Sequence, residues 1–119
     1  MHPMHELSIA TNIVSVAQEE AAARGVEVEA VHLRLGALAG VEVDSLLFGY
    51  QVASQGTPLE GSRLLIEEVP LTIYCPNCQA EFELAGIQSL RCPKCQELSG
   101  DIRRGKELEI VALEVKEQP

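Results

Sequence analysis

Four cysteines stand in two close pairs, Cys75-Pro-Asn-Cys78 and Cys92-Pro-Lys-Cys95, with 13 residues between the pairs. A two-residue gap lets one tight turn present both sulfurs to the same ion. Two such turns can surround one tetrahedral ion, with Zn–S bonds near ~2.3 Å. Four thiolates close the coordination shell and leave no position for a substrate, so the site reads as structural rather than catalytic. Two other chemistries use the same residues: a single iron in an electron carrier, and redox dithiols that close as disulfides. Aromatics are only 3% of the chain and Trp is absent, which disfavours the aromatic core of a small iron carrier. Gln79 and Gln96 follow the pairs where glycine is common, so each must tolerate a tight backbone.

A second group of ligand types lies at the N-terminus, Met1-His2-Pro3-Met4-His5-Glu6-Leu7, which holds two of the three histidines. The plain reading is a solvated terminus. The sharper reading is a chelate. An α-amine, an adjacent imidazole and deprotonated backbone amides form a planar, nitrogen-rich set that suits Ni(II) or Cu(II). The third histidine, His32, falls on the polar face of a strand pattern, an ordinary exposed place.

The elements around these groups follow from periodicity. Residues 6–24 predict an amphipathic helix, with Ile9, Ile13, Val16, Ala17 and Ala21 at helical spacing. Arg24 followed by Gly25 is a stop signal. Residues 28–35 predict a strand, since Val31, Leu33 and Leu35 alternate with His32 and Arg34. After Gly36 and Gly40, Asp44 or Ser45 is placed to cap a second helix over about 45–54. Gly56, Pro58 and Gly61 mark a turn-rich link, and residues 63–69 read as a second strand. Residues 107–115 alternate again but carry apolar residues on both faces, as a strand buried centrally between layers does. The expected fold is α/β (α+β), a small mixed sheet of about three strands with two helices. The body comprises 1–70 and 101–119, and a four-cysteine zinc-ribbon lobe at 71–100 is inserted into it.

Composition narrows the function. With 119 residues the chain is long enough for one core, and 46% of them are hydrophobic. The formal net charge of −9 repels phosphate backbones and anionic membranes, so neither nucleic acid nor membrane is expected as a partner. No basic-then-apolar leader opens the chain and no apolar run approaches the ~18 residues of a membrane span. The expected location is therefore cytoplasmic, where thiols stay reduced and paired cysteines point to metal. No nucleophile elbow or phosphate loop is present, so an enzyme is not expected.

These motifs together resemble the HypA/HybF family of hydrogenase maturation proteins. Met4-His5-Glu6-Leu7-Ser8-Ile9-Ala10 is similar to the family's MHExSIA opening. The stretch from Val31 to Val41 resembles its strand and Gly-rich turn, and Gly56-Thr57-Pro58-Leu59-Glu60-Gly61 its GTxLEG segment. The two cysteine pairs follow, then Gly105-Lys106-Glu107-Leu108-Glu109-Ile110. The likeness runs essentially end to end, and the order and spacing of these pieces make it specific.

The resemblance implies a nickel metallochaperone. It implies Ni(2+) as transferable cargo at His5, with the backbone amide of Glu6 in the metal plane, and structural Zn(2+) at Cys75, Cys78, Cys92 and Cys95. It implies a GTPase of the HypB type and the hydrogenase large-subunit precursor as partners, urease as a further client in some members, and a monomer or homodimer. The family opens at its MHE, whereas three residues precede that motif here. If the chain begins at Met1, His5 has no neighbouring α-amine and His2 takes the second position. Pro3 then has no N–H to offer. Met1, His2 and Met4 are therefore further nickel donors to weigh, with His5 the principal one. The alternative function is a zinc-ribbon interaction adaptor without nickel cargo.

Overall fold

The computed structural model describes residues 3–117, with side chains from His5 onward. Met1, His2 and the Met4 side chain, named above among the nickel donors, lie outside the described residues. Helix α1 spans Pro3–Arg24, strand β1 Val28–Gly36, helix α2 Val43–Ser54 and strand β2 Arg63–Val69. Short strands β3 (Thr72–Cys75), β4 (Ala80–Glu83) and β5 (Ile102–Arg104) follow, and β6 covers Leu108–Val115. The architecture is α+β with a cysteine lobe inserted between β2 and β6, as expected.

Helix α1 starts three residues before the expected 6–24. Pro3 suits a first turn, where its missing N–H has no intrahelical bond to make. Its buried stripe is Ala10, Ile13, Val14, Ala17 and Ala21. Val16, expected on that stripe, is 46% exposed. Positions 10, 13, 14, 17 and 21 share one helical face, and position 16 points off it. The stop after Arg24 is real: Gly25 takes φ 65°, and the Val26 N–H closes onto the Ala21 carbonyl at 3.1 Å.

Helix α2 begins at Val43 and is capped by Glu42, not by Asp44 or Ser45. The Glu42 carboxylate accepts the Ser45 N–H at 2.9 Å. Asp44 instead lies in the first turn, where a negative charge faces the positive end of the helix dipole. Leu46 and Tyr50 turn inward, and the Tyr50 hydroxyl bonds the Ser62 hydroxyl at 2.6 Å. Burial pushes the Tyr50 hydroxyl above its usual pKa. Gly49 lets the two helices meet closely: a Cβ there would sit 3.3 Å from the Leu7 Cα. The turn after α2 is tied by its own side chains. Gly56 N–H donates to Glu60 at 2.7 Å and Leu59 N–H to the Thr57 hydroxyl at 3.1 Å. Leu59 is thereby buried in the core with Val31, Leu33 and Leu64.

Two three-stranded sheets form, in the orders β2-β1-β6 and β4-β3-β5. The position of β6 corrects the expectation of a central strand. It lies at a sheet edge, and Leu108, Val111 and Val115 remain 44%, 42% and 44% exposed. β1 takes the centre instead. The apolar residues of β6 reach the core only through Ile110 and Leu113, and no second layer covers the rest among the described residues.

The chain divides into two compact units. One holds the residues up to Leu33, Val41–Glu67 and those from Ile110. The other holds Arg34–Gly40 and Glu68–Glu109, so the cysteine-bearing unit reaches beyond the 71–100 stretch. Within this second unit two glycines bring backbones together. Gly36 N–H donates to the Glu107 carbonyl and Leu38 N–H to the Gly105 carbonyl, each at 2.7 Å.

Candidate metal centres

The first centre is built on two turns. β3 delivers Cys75 at its end, paired opposite Ala80 of β4, and the turn between them carries Cys78. The second turn carries Cys92 and Cys95 and is closed by the Cys92 N–H to Glu97 carbonyl bond at 2.8 Å and the Arg91–Leu98 bridge. Gln79 and Gln96 end the two turns with φ 54° and 70°. Both take the left-handed geometry that the tight turns require of them. Around the turns, Arg103 binds Asp101 through two bonds of 2.9 and 3.0 Å and lies 4.5 Å over the Tyr74 ring. Ser99 donates its hydroxyl to the Tyr74 carbonyl at 2.5 Å.

The four sulfurs converge, all within 4.8 Å of one another. Cys75 and Cys95 sulfurs are 3.5 Å apart, and those of Cys78 and Cys92 3.9 Å. A tetrahedron with Zn–S bonds near ~2.3 Å has sulfur–sulfur edges of about 3.8 Å. A disulfide needs about 2.05 Å, and all four cysteines are free. The cluster therefore fits a four-thiolate ion. Lys94 and Cys95 N–H groups both point at the Cys92 sulfur at 3.4 Å, a placement that stabilises negative charge on it.

The thiols differ in proton affinity. Burial, then the three neighbouring thiols, push Cys78 up to about 12. Cys75 is favoured as thiolate by a Cys78 backbone N–H, yet burial and Cys95 and Cys92 leave it raised. The Asn77 side chain and the Glu97 backbone hold Cys95 down to about 6. At pH 7 Cys95 is thus mostly thiolate, while Cys75 and Cys78 carry protons that a metal must displace. Zinc binding to the metal-free protein at pH 7 is expected to release at least two protons. Titration calorimetry in buffers of different ionisation enthalpy reads that number directly. Below about pH 6 Cys95 must also give up a proton, so affinity should fall more steeply there.

The second candidate is the start of α1. His5 is half-exposed on its first turn, with 54% of its side chain open to water. Glu6 beside it is fully buried. One carboxylate oxygen, Oε2, accepts the Glu42 N–H at 3.3 Å and lies 3.7 Å from His5 Nδ1. The other, Oε1, has no hydrogen-bond partner among the described residues. A buried carboxylate left half-paired is costly, of the order of several kcal/mol. It leaves a buried oxygen acceptor beside an accessible imidazole.

A sequence profile described as "Hydrogenase/urease nickel incorporation, metallochaperone, hypA" matches residues 4–115. The chain belongs to the HypA family. A hydrogenase maturation factor HypA of Chloroflexus aurantiacus is 54% identical over 112 residues, covering 93% of this chain and 98% of that one. Another, from Roseiflexus, is 52% identical over 115 residues, covering 96% and 94%. Among solved structures, the Ni metallochaperone HypA from Helicobacter pylori superposes with a TM-score of 0.64 at 18% identity, covering 92% of this chain and 96% of that one. A solution structure titled only as HypA protein gives 0.67 at 20%, covering 95% and 97%. Those two likenesses bear on the fold.

Seen as a HypA chain, the structure brings the four cysteines together and puts His5 and Glu6 on adjacent positions of one helical turn. Sequence reasoning assigns Glu6 only a backbone role and misses its carboxylate and its partner Glu42. A signal is present. Glu6 lies four residues before Ala10, on the same stripe as Ile13 and Ala17, and an acid on a core stripe is rarely there by accident. His32 does not join either centre. Its Nε2 pairs with Glu114 at 2.6 Å across the sheet.

Proposed function

We propose that this HypA-family chain carries Ni(2+) at its N-terminus and holds Zn(2+) in the four-cysteine lobe. The observation that supports nickel at the terminus is the buried, half-paired Glu6 carboxylate set against the exposed His5 imidazole. A carboxylate oxygen without a hydrogen-bond partner is a free lone-pair donor held beside that imidazole. His5 supplies a nitrogen donor of the kind nickel prefers. Backbone N–H groups in a helix's first turn lack intrahelical acceptors, so deprotonated amides there add donors without dismantling the helix. His5 is the principal ligand, with the Glu6 amide and, in the longer chain, Met1, His2 and Met4 as further donors.

A site made of one imidazole and backbone nitrogens at a chain end can exchange ligands and release its cargo. The zinc centre, closed by four thiolates, keeps its ion and shapes its lobe. The protein acts as a cytoplasmic carrier rather than a catalyst. It hands nickel toward the hydrogenase large-subunit precursor alongside a HypB-type GTPase, with urease as a second client.

The test is a Ni(II) titration with metal analysis, on the full chain and on a form starting at Met4. One tightly held zinc and one chelator-labile nickel are expected. His5→Ala should weaken nickel binding about tenfold or more, the loss of one good ligand interaction, with zinc content and far-UV circular dichroism unchanged. If His5→Ala binds nickel as tightly as the parent in both forms, the carrier reading fails. A zinc-ribbon adaptor without nickel cargo then describes the protein better.

A further inference from the structure

Strand β6 ends its sheet, so its outer edge pairs with nothing among the described residues. Beside it, between the strand and α1, an open groove of about 480 Å³ is lined chiefly by Val16, Ala17, Ile110, Val111, Leu113 and Val115. Val16, Val111 and Val115, on both walls, are among the most water-exposed aliphatic side chains of the protein. An unpaired, apolar edge is a template for another strand, and proteins usually blunt it with Lys, Pro or an inward charge. Between Ile110 and Val115 there is no Lys and no Pro. The single charge, Glu114, is the one residue of that stretch that does not line the groove. It faces His32, whose Nε2 lies 2.6 Å away.

The charges around the groove select the occupant. Glu20 on its wall is matched by Arg24 at 2.7 Å. At the far end of β6, Lys116 N–H donates to the Glu27 carbonyl, which sets Glu27 beside Glu117 and Lys116. Glu20, Glu27, Glu114 and Glu117 thus outnumber Arg24 and Lys116. A second copy of this chain would bring a further net charge of −9 to that rim.

We propose that the β6 edge and the α1 groove receive an extended segment of a partner protein, apolar at alternate positions with lysine or arginine between them. Such a segment adds a fourth strand to the sheet through main-chain hydrogen bonds. Its apolar side chains drop into the groove toward Val16 and Val115, and its cations lie outside the groove, where Glu114 stands. This surface is independent of the nickel reading, and its test uses no nickel.

The probe is a fluorescein-labelled peptide alternating valine and lysine over the length of β6, titrated with the full chain at physiological ionic strength. Saturable binding by anisotropy is expected, with slowed amide hydrogen exchange across Ile110–Val115. Val16→Lys and Val111→Lys change exposed side chains and should keep the far-UV spectrum. Each should weaken binding about tenfold, the loss of one buried valine plus a new like charge. No binding overturns the proposal, as does equal binding of a serine–lysine peptide, which would reduce the effect to charge alone. A concentration-dependent dimer of the free chain, lost in Val111→Lys, would assign the groove to a second copy and overturn it too.

Discussion

Cys92→Ser is expected to reduce the tightly bound zinc from one per chain to almost none and to unfold the cysteine lobe. Cys92 has no exposed surface, and its sulfur is the one that receives two backbone N–H groups. Serine is of similar size, but its oxygen is a hard, neutral donor in place of a soft thiolate. Structural zinc sites of this kind are worth roughly 10–16 kcal/mol of apparent binding free energy, and the lobe has little else to stand on. Its three strands contain only a few residues each. Only Leu71, Ile73, Cys75 and Cys92 are apolar and fully buried between Leu71 and Cys95. Metal analysis gives the zinc count, and NMR shifts of Ile73 and Phe82, which pair across β3 and β4, report the lobe. Helical circular dichroism from α1 and α2 should largely survive. Full zinc retention with an unchanged Ile73 environment would refute the four-sulfur centre.

Gly36→Ala is expected to lower the melting temperature by about 10 °C or more. A Cβ at Gly36 would lie 2.2 Å from the carbonyl carbon and oxygen of Gly105 and 2.6 Å from the Glu107 nitrogen. All three are backbone atoms, so no rotamer change can make room. Overpacking usually costs about 1–3 kcal/mol where side chains can yield. Here the strand itself must move, and the two bonds of 2.7 Å at Gly36 and Leu38 move with it. A cost of about 3 kcal/mol corresponds to roughly 10 °C in a domain of this size. Gly105 meets the same constraint from the other side: a Cβ there would reach the Leu71 Cα at 2.9 Å. Thermal unfolding of Gly36→Ala beside Gly40→Ala, where a Cβ meets nothing within 4 Å, checks the argument. Gly40 takes φ 70°, so its alanine variant carries backbone strain without a clash. Equal losses at both positions would mean that the close approach is not the cause.

What is legible in the sequence is what is local. A cysteine pair two residues apart dictates its own turn, so the convergence of the four cysteines can be read from spacing alone. The period of α1 likewise needs only its own residues, although its stripe runs through Val14 rather than Val16. The cap of α2 misleads because Asp44 and Ser45 are better cap types than Glu42, and only the entry path of the chain decides which one stands at the boundary. The place of β6 misleads for a non-local reason. Apolar residues on both faces say that a strand could be buried twice, not that a second layer exists to bury it. Glu6 is the same kind of case. Its carboxylate is explained by Glu42, 36 residues away, and no periodicity reports such a partner.

The lobe also alters the kinetics of assembling the body. β3 pairs with β5 so that Thr72 stands opposite Arg104. Its two points of attachment are thereby held side by side. Without that pairing, β6 must find its sheet across a slack connection of roughly forty residues. With it, the effective loop is about five, and the entropy of closing it falls by about 2 kcal/mol. β6 is also the last of the described strands along the chain. By pairing β3 with β5, the cysteine lobe acts as a clasp that shortens the connection from β2 to β6.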